Sequence, residues 1–221
     1  MVIGGAGIMY KKHIELADDS RGGAGMSIII TVSRQLGAGG TQIASKVANM
    51  LDLRLVDRQI LDRVAEQAGV PAGVVEAVDE SPAAAKKRPK GTRMEATDQT
   101  YNQLMQAAIH DYARQGNALI VGRGAHLLLS GRPELLRVKV LAPREVRINS
   151  LMQRLNLSRA AAERAVRDSD SNRAAFIKTV YKADWMDPSL YDLVINTKSL
   201  DYDTASEVIA LVARKMQEKQ G

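Results

Sequence analysis

Short β-branched runs alternate along the chain with longer stretches in which apolar residues recur three and four apart. Ser27-Ile28-Ile29-Ile30-Thr31-Val32-Ser33 is apolar almost without interruption, as expected of a strand covered on both faces of a parallel sheet. A glycine turn follows, and Thr41 to Leu51 then carries Ile43, Val47 and Met50 at helical spacing. The same alternation predicts further strands at 54–56, 118–121, 136–141 and 193–195, and helices at 58–68, 97–115, 143–155, 158–169 and 203–217. A Gly69-Val70-Pro71 break leads to a short helix ending near Asp79, and from Ser81 to Thr97 the composition shifts to Pro, Ala and Lys/Arg, which reads as a loop or hinge. Strands alternating with helices predict an α/β fold with a doubly wound parallel sheet of five strands and helices on both faces. No internal repeat is visible.

Residues 1–25 stand apart. They carry six glycines with no sustained apolar period, and Met26 follows directly before the first strand, so this stretch reads as a flexible leader ahead of a domain spanning 26–221. The 221 residues are 45% hydrophobic and 25% charged, values of ordinary globular proteins. No apolar window is long enough to span a membrane. The absence of cysteine excludes disulfides and thiolate chemistry and fits a reducing, cytoplasmic setting. A net charge of +6 points to polyanionic or phosphorylated partners. Aromatic residues make up only 4%, too few for a base-stacking platform, so a nucleic-acid partner is not expected.

The turn after the first strand reads Ser33-Arg34-Gln35-Leu36-Gly37-Ala38-Gly39-Gly40-Thr41 and runs straight into a helix. Such a turn serves either a tight reversal at positive φ or phosphate binding, in which backbone N–H groups and a helix N-terminus meet the anion. Its position after the first strand of an α/β pattern, where open parallel sheets collect ligands, favours phosphate. The lysine that usually precedes the Ser/Thr of such loops is missing. Arg34 and Lys46 are the nearest cations in sequence, and Lys46 reads more readily as a solvated helix residue.

Arg123, between Gly122 and Gly124, ends a buried strand on the sheet edge that carries the glycine loop. Arg147 and Arg154 lie seven apart, on one face of the helix after Pro143. Arg167, Asp170 and Arg173 repeat every three residues, which makes an arginine–carboxylate–arginine ladder if their helix continues. The ladder is either a surface ion-pair network or a lid that brings guanidinium groups onto phosphates. The run Lys86-Lys87-Arg88-Pro89-Lys90 reads as a solvated insertion, with an anion-binding arm as the alternative.

With these residues in order, the chain from about Ser27 onward resembles the cytidylate-kinase-like family of P-loop kinases, relatives of bacterial CMP kinase. The resemblance rests on Thr31-Val-Ser-Arg-Gln-Leu-Gly-Ala-Gly-Gly40, Val56-Asp57-Arg58-Gln-Ile60, Ile120-Val-Gly-Arg-Gly-Ala125 and Leu141-Ala-Pro-Arg-Glu-Val-Arg147. Asp170-Ser-Asn-Arg173, Trp185 and Tyr191-Asp-Leu-Val-Ile-Asn-Thr197 complete it. It implies a P-loop NTPase-type sheet with a small acceptor-binding segment at 57–115 and a helical lid at 154–181. The implied activity is Mg²⁺-dependent transfer of the ATP γ-phosphoryl group to a nucleoside monophosphate, CMP or dCMP first, with small nucleotides as the partners. By likeness, Arg34 and the loop Gly37, Ala38, Gly39, Gly40 and Thr41 would hold ATP. Arg123, Asp170 and Arg173 would meet the acceptor and the transferring group, with Arg147, Arg154 and Arg167 acting from the lid and its base. Asp57 and Arg63 match the Asp-x-x-x-x-x-Arg spacing of the acceptor site. Two departures stand out: the loop lacks lysine, and Gly124 stands where CMP kinases have Asp after the arginine.

Overall fold

A computed structural model describes residues 27–68 and 98–220. The leader, the short helix expected after Pro71 and the Lys86–Lys90 run lie outside them. Five strands, β1 (Ile29–Arg34), β2 (Arg54–Val56), β3 (Ala118–Val121), β4 (Leu135–Leu141) and β5 (Leu193–Asn196), form one all-parallel sheet in the order β2-β3-β1-β4-β5. β1 sits at the centre, with Ile29 to Val32 opposite Ala118 to Val121 on one side and Ile29 to Arg34 opposite Leu135 to Val140 on the other. The connections are helical: α1 (Gly40–Met50), α2 (Gln59–Ala68), α3 (Asp98–Gln115), a single turn α4 (Ala125–Leu128), α5 (Arg144–Leu155), α6 (Arg159–Tyr181) and α7 (Tyr202–Gln220).

Because successive strand residues face opposite ways, each strand feeds two cores. Ile28, Ile30 and Val32 of the β1 segment join Leu136, Val138 and Val140 of β4, beneath Ile43 and Val47 of α1 and Ile209 of α7. Ile29 and Ile120 face the other way, onto Ile60 and Val64 of α2 and Ile109 of α3. A third cluster, Ile148 and Leu151 of α5 with Ala162 and Val166 of α6, packs around Leu36 of the glycine loop.

One boundary differs from the sequence reading. The helix expected to stop at Ser169 runs on to Tyr181. Nothing between Arg159 and Tyr181 is Gly or Pro, so no residue interrupts it. Ser158 caps its start by accepting from the Ala161 N–H at 3.3 Å, and Lys182, left-handed at φ 56°, ends it. The Asp170–Arg173 segment therefore lies inside a helix.

Candidate active site

The glycine loop is anchored by its carbonyls. Arg147 Nη1 donates to the Leu36 oxygen at 3.4 Å, and the Thr197 hydroxyl donates to the Ala38 oxygen at 2.9 Å. The Gln42 amide, oriented to satisfy both its ends, donates to the Gly39 oxygen at 3.2 Å. In a trans peptide the N–H points away from the C=O. Drawing these three carbonyls inward therefore turns the N–H groups of Gly37, Gly39 and Gly40 outward. No hydrogen bond from those three groups is made among the described residues. α1 begins without a side-chain cap or an acidic residue in its first turn, so its positive end is also unspent.

Gly37 and Gly39 have φ near +84° and +81°, and a Cβ on Gly37 would come within 2.6 Å of the Arg147 carbonyl oxygen, while one on Gly39 would enter the Tyr202 ring. Both positions therefore require glycine, for conformation and for space. The loop fits a polyphosphate: outward amides at an uncapped helix start, with no carboxylate in the first turn to repel it. Among the described residues no three metal-ligating side chains gather. Thr41, exposed in the first turn of α1, would be the hydroxyl nearest a Mg²⁺ held by those phosphates.

Next to the loop, at the C-terminal ends of β1 and β3, lies a pocket of about 310 Å³. Arg34, Arg123 and Arg173 supply three guanidinium groups to its lining, Ser33 and His126 supply polar groups, and Phe176, Ile177 and Trp185 form an apolar side. Arg123 is itself left-handed, with φ 54°, between two left-handed glycines. Strain of this kind at a non-glycine residue marks sites where a side chain has to be aimed. Asp57 Oδ1 lies 3.7 Å from Arg34 Nη2 and 3.6 Å from Arg123 Nη1, so one carboxylate positions both. Tyr181, at the end of α6, donates to the Arg123 carbonyl at 3.4 Å. The His126 imidazole is buried and stacked on Tyr191, and its Nε2 has no hydrogen-bond partner among the described residues. Burial first, then the charges of Lys139 and Arg137, push its pKa down to about 4, so it faces the pocket neutral.

Sequence-expected residues fall into three groups. Arg34, Asp57, Arg123 and Arg173 come together around the pocket. Arg154 reaches the glycine loop: the Gln42 oxygen accepts from its Nη1 at 2.8 Å and its Nε at 3.2 Å. Arg147, Arg63 and Arg167 are engaged elsewhere. Arg147 is buried, and its guanidinium grips Asp170 in two bonds of 3.0 and 2.7 Å while Nε bonds the Ala142 carbonyl at 3.1 Å. Arg63 pairs with Asp111 of α3 at 3.1 Å. Arg167, largely exposed, pairs with its neighbour Asp168. In the expected ladder, therefore, Asp170 is held by Arg147 of α5 and Arg167 by Asp168. Lys46 pairs with Asp203 on the solvated side of α1.

Sequence reasoning missed His126, Gln42 and Thr197. Gln42 directly follows the glycine loop and lies within a search around it, whereas Thr197, just past the end of β5, meets the loop only through the β4–β5 pairing.

The fold is that of a kinase of the P-loop type, with a doubly wound sheet, a glycine loop after its central strand and arginines at the strand ends. The chain belongs to the cytidylate kinase-like family, whose model matches residues 29–199. It is similar to the cytidylate kinase of Methanopyrus kandleri, 24% identical over 204 residues, covering 88% of this chain and 97% of that protein. The cytidylate kinase of Methanocaldococcus jannaschii is 30% identical over 102 residues, and that match spans 45% of this chain and 57% of the relative. Among solved structures, an uncharacterized protein from Eubacterium ventriosum superposes with a TM-score of 0.66 at 23% identity, over 85% of this chain and 98% of that one. The shikimate kinase of Bacteroides thetaiotaomicron does so with a TM-score of 0.53 at 16% identity, over 86% and 99%.

Proposed function

We propose that the protein transfers the γ-phosphoryl group of ATP to a nucleoside monophosphate, with CMP or dCMP as the preferred acceptor. The observation that carries this reading is the pairing of two anion sites: three outward loop amides beside a pocket lined by three guanidinium groups. The loop amides and the α1 N-terminus bind the donor phosphates, and Arg154, tied to the loop through Gln42, supplies the cation that the loop lysine gives elsewhere. Arg34, Arg123 and Arg173 hold the acceptor phosphate and neutralise charge as the phosphoryl group passes between the two sites. Mg²⁺ on the donor phosphates shields their charge. An acceptor phosphate oxygen is already anionic, so no general base is needed and positioning supplies the rate. On this reading 154–181 acts as the lid over the acceptor.

A second reading keeps the chemistry and changes the acceptor to a small non-nucleotide. Gly124, in place of the Asp that follows the arginine in CMP kinases, favours it, and one similar fold is that of a shikimate kinase.

The test is ADP release with ATP and Mg²⁺ in the presence of CMP, dCMP, UMP, AMP, GMP, shikimate or gluconate, against a blank without acceptor. Stimulation by CMP or dCMP is expected. Stimulation by shikimate or gluconate alone would establish the second reading. A flat response from protein that still binds ATP would replace both with a regulatory, nucleotide-sensing role.

A further inference from the structure

β4 carries one side chain that neither the hydrophobic core nor the transfer chemistry uses. Lys139 is 2% exposed and lies opposite Ser33 in the sheet. Among the described residues its ammonium meets no carboxylate within salt-bridge distance. It donates to the Trp185 carbonyl at 3.0 Å and to the Tyr191 hydroxyl at 3.5 Å, and sits 3.5 Å from the centre of the Trp185 ring. A buried ammonium without a counter-ion is costly. The cost is relieved either by loss of the proton or by an opposing charge brought close to it.

The pocket supplies that state. Trp185 and Ser33 both line it, and both belong to the Lys139 network. Trp185 Nε1 donates to Ser33 Oγ at 2.9 Å, and the Tyr191 hydroxyl lies 3.4 Å from the same oxygen. Tyr191 gives its own proton to the Trp185 carbonyl at 3.0 Å. The Ser33 proton is then available to the Tyr191 oxygen or to a ligand.

The groups facing Lys139 divide by sign. Burial first, then repulsion by Arg173 of α6, bring its pKa down to about 7 against the attraction of Asp170 of α6 and Asp184 of the following segment. Asp170 is already bonded to Arg147 of α5. Arg137 of β4 is paired with Asp192, and His126 of α4 is neutral. A phosphate dianion beside Arg173 and Ser33 would cancel the repulsion and add attraction.

We propose that Lys139 is a positioning residue for a phosphate-bearing acceptor: a dianion in the pocket draws a proton from solvent onto its Nζ, and the ammonium then pins the pocket floor through Trp185 and the Tyr191–Ser33 pair. This rests on the reading of the pocket as the acceptor site.

The experiment is calorimetric titration of the full chain with CMP, and separately with inorganic phosphate, at pH 7 in buffers of low and high ionisation enthalpy. Wild type is compared with Lys139→Met, which keeps an unbranched side chain as far as Cε and removes the titrating amine. Wild type is expected to take up about half a proton more per bound CMP than the variant, because a group with a pKa of about 7 is half protonated before binding. The KM for CMP should also rise from pH 7 to 9 more steeply in wild type than in the variant, with kcat changing less. Equal proton counts from two proteins that both bind CMP would overturn the role of Lys139 and leave the acceptor reading standing. Folded wild type that binds neither CMP nor phosphate would overturn the acceptor reading and the proposal with it. Should Lys139→Met fail to fold, ¹³Cε-lysine NMR of wild type replaces it. The Lys139 signal is expected to titrate at least about one unit higher with saturating phosphate, and an unchanged titration would refute the proposal.

Discussion

On the side of the sheet under α1 and α7, β4 contributes Leu136, Val138 and Val140, and β1, with the residue before it, contributes Ile28, Ile30 and Val32, all buried and all apolar. On the opposite side the alternate positions read Ile29, Thr31, Ser33 and Leu135, Arg137, Lys139. That side is apolar at the N-terminal ends of its strands and turns polar toward the C-terminal ends. The first face invests all of its area in burial. The second gives up apolar burial where the loops open, which is where parallel sheets of this kind bind ligands, and it carries the arginine pocket there.

The contrast can be broken in four places. The largest effect is expected on the apolar face: Ile30→Ala should cost about 3–4 kcal/mol in denaturant unfolding through lost burial and a cavity, with kcat of the folded fraction unchanged. Arg173→Ala, on the polar face, should do the reverse. Loss of a guanidinium that neutralises the transferring group is expected to lower kcat/KM by about a hundredfold or more, with stability within about 1 kcal/mol of wild type. A variant that turned over at the wild-type rate would show that α6 is not the lid.

Third comes a pH effect. The folded-state pKa of Lys139, about 7, lies below its ordinary value of 10.5. Between those values the unfolded chain binds the extra proton, so stability rises with pH there and falls as the pH drops toward 7. Wild type should gain roughly 2 kcal/mol relative to Lys139→Met between about pH 7 and 9, and parallel stability curves would contradict the assignment. The smallest effect is expected from Ser33→Ala, which leaves the Trp185 indole N–H without its acceptor. About 1 kcal/mol of stability should be lost, together with a raised KM for the acceptor in the ADP-release assay.

The apolar face was legible in the sequence because its strands are continuous β-branched runs and its helices repeat every three and four residues. All five strands lie where the pattern puts them, within a residue or two at their ends. The glycine loop and the pocket arginines Arg34 and Arg123 were legible from turn chemistry and from strand-end position, and Arg173 from helical spacing and the family resemblance. Partner choice was not. Arg147 and Asp170 are 23 residues apart and meet only because α5 and α6 pack together, and Arg63 turns to Asp111 across 48 residues. Helical spacing within one element suggested the Arg167–Asp170–Arg173 ladder, and packing between elements overrode it. Lys139 did leave a signal, a cation between two valines in a strand expected to be covered on both faces.

Arg147 holds the Leu36 carbonyl of the glycine loop, the Ala142 carbonyl at the start of the α5 segment and both oxygens of Asp170 on α6. Mechanically it is a three-way joint. A lid that swings with the joint intact must drag the loop along, and one that swings by breaking it strands a buried guanidinium without its carboxylate. On the proposed function, with α6 as the lid, the donor side would then register the position of the acceptor side, and occupancy of one site would feed back on the affinity of the other, in both directions and by the same factor.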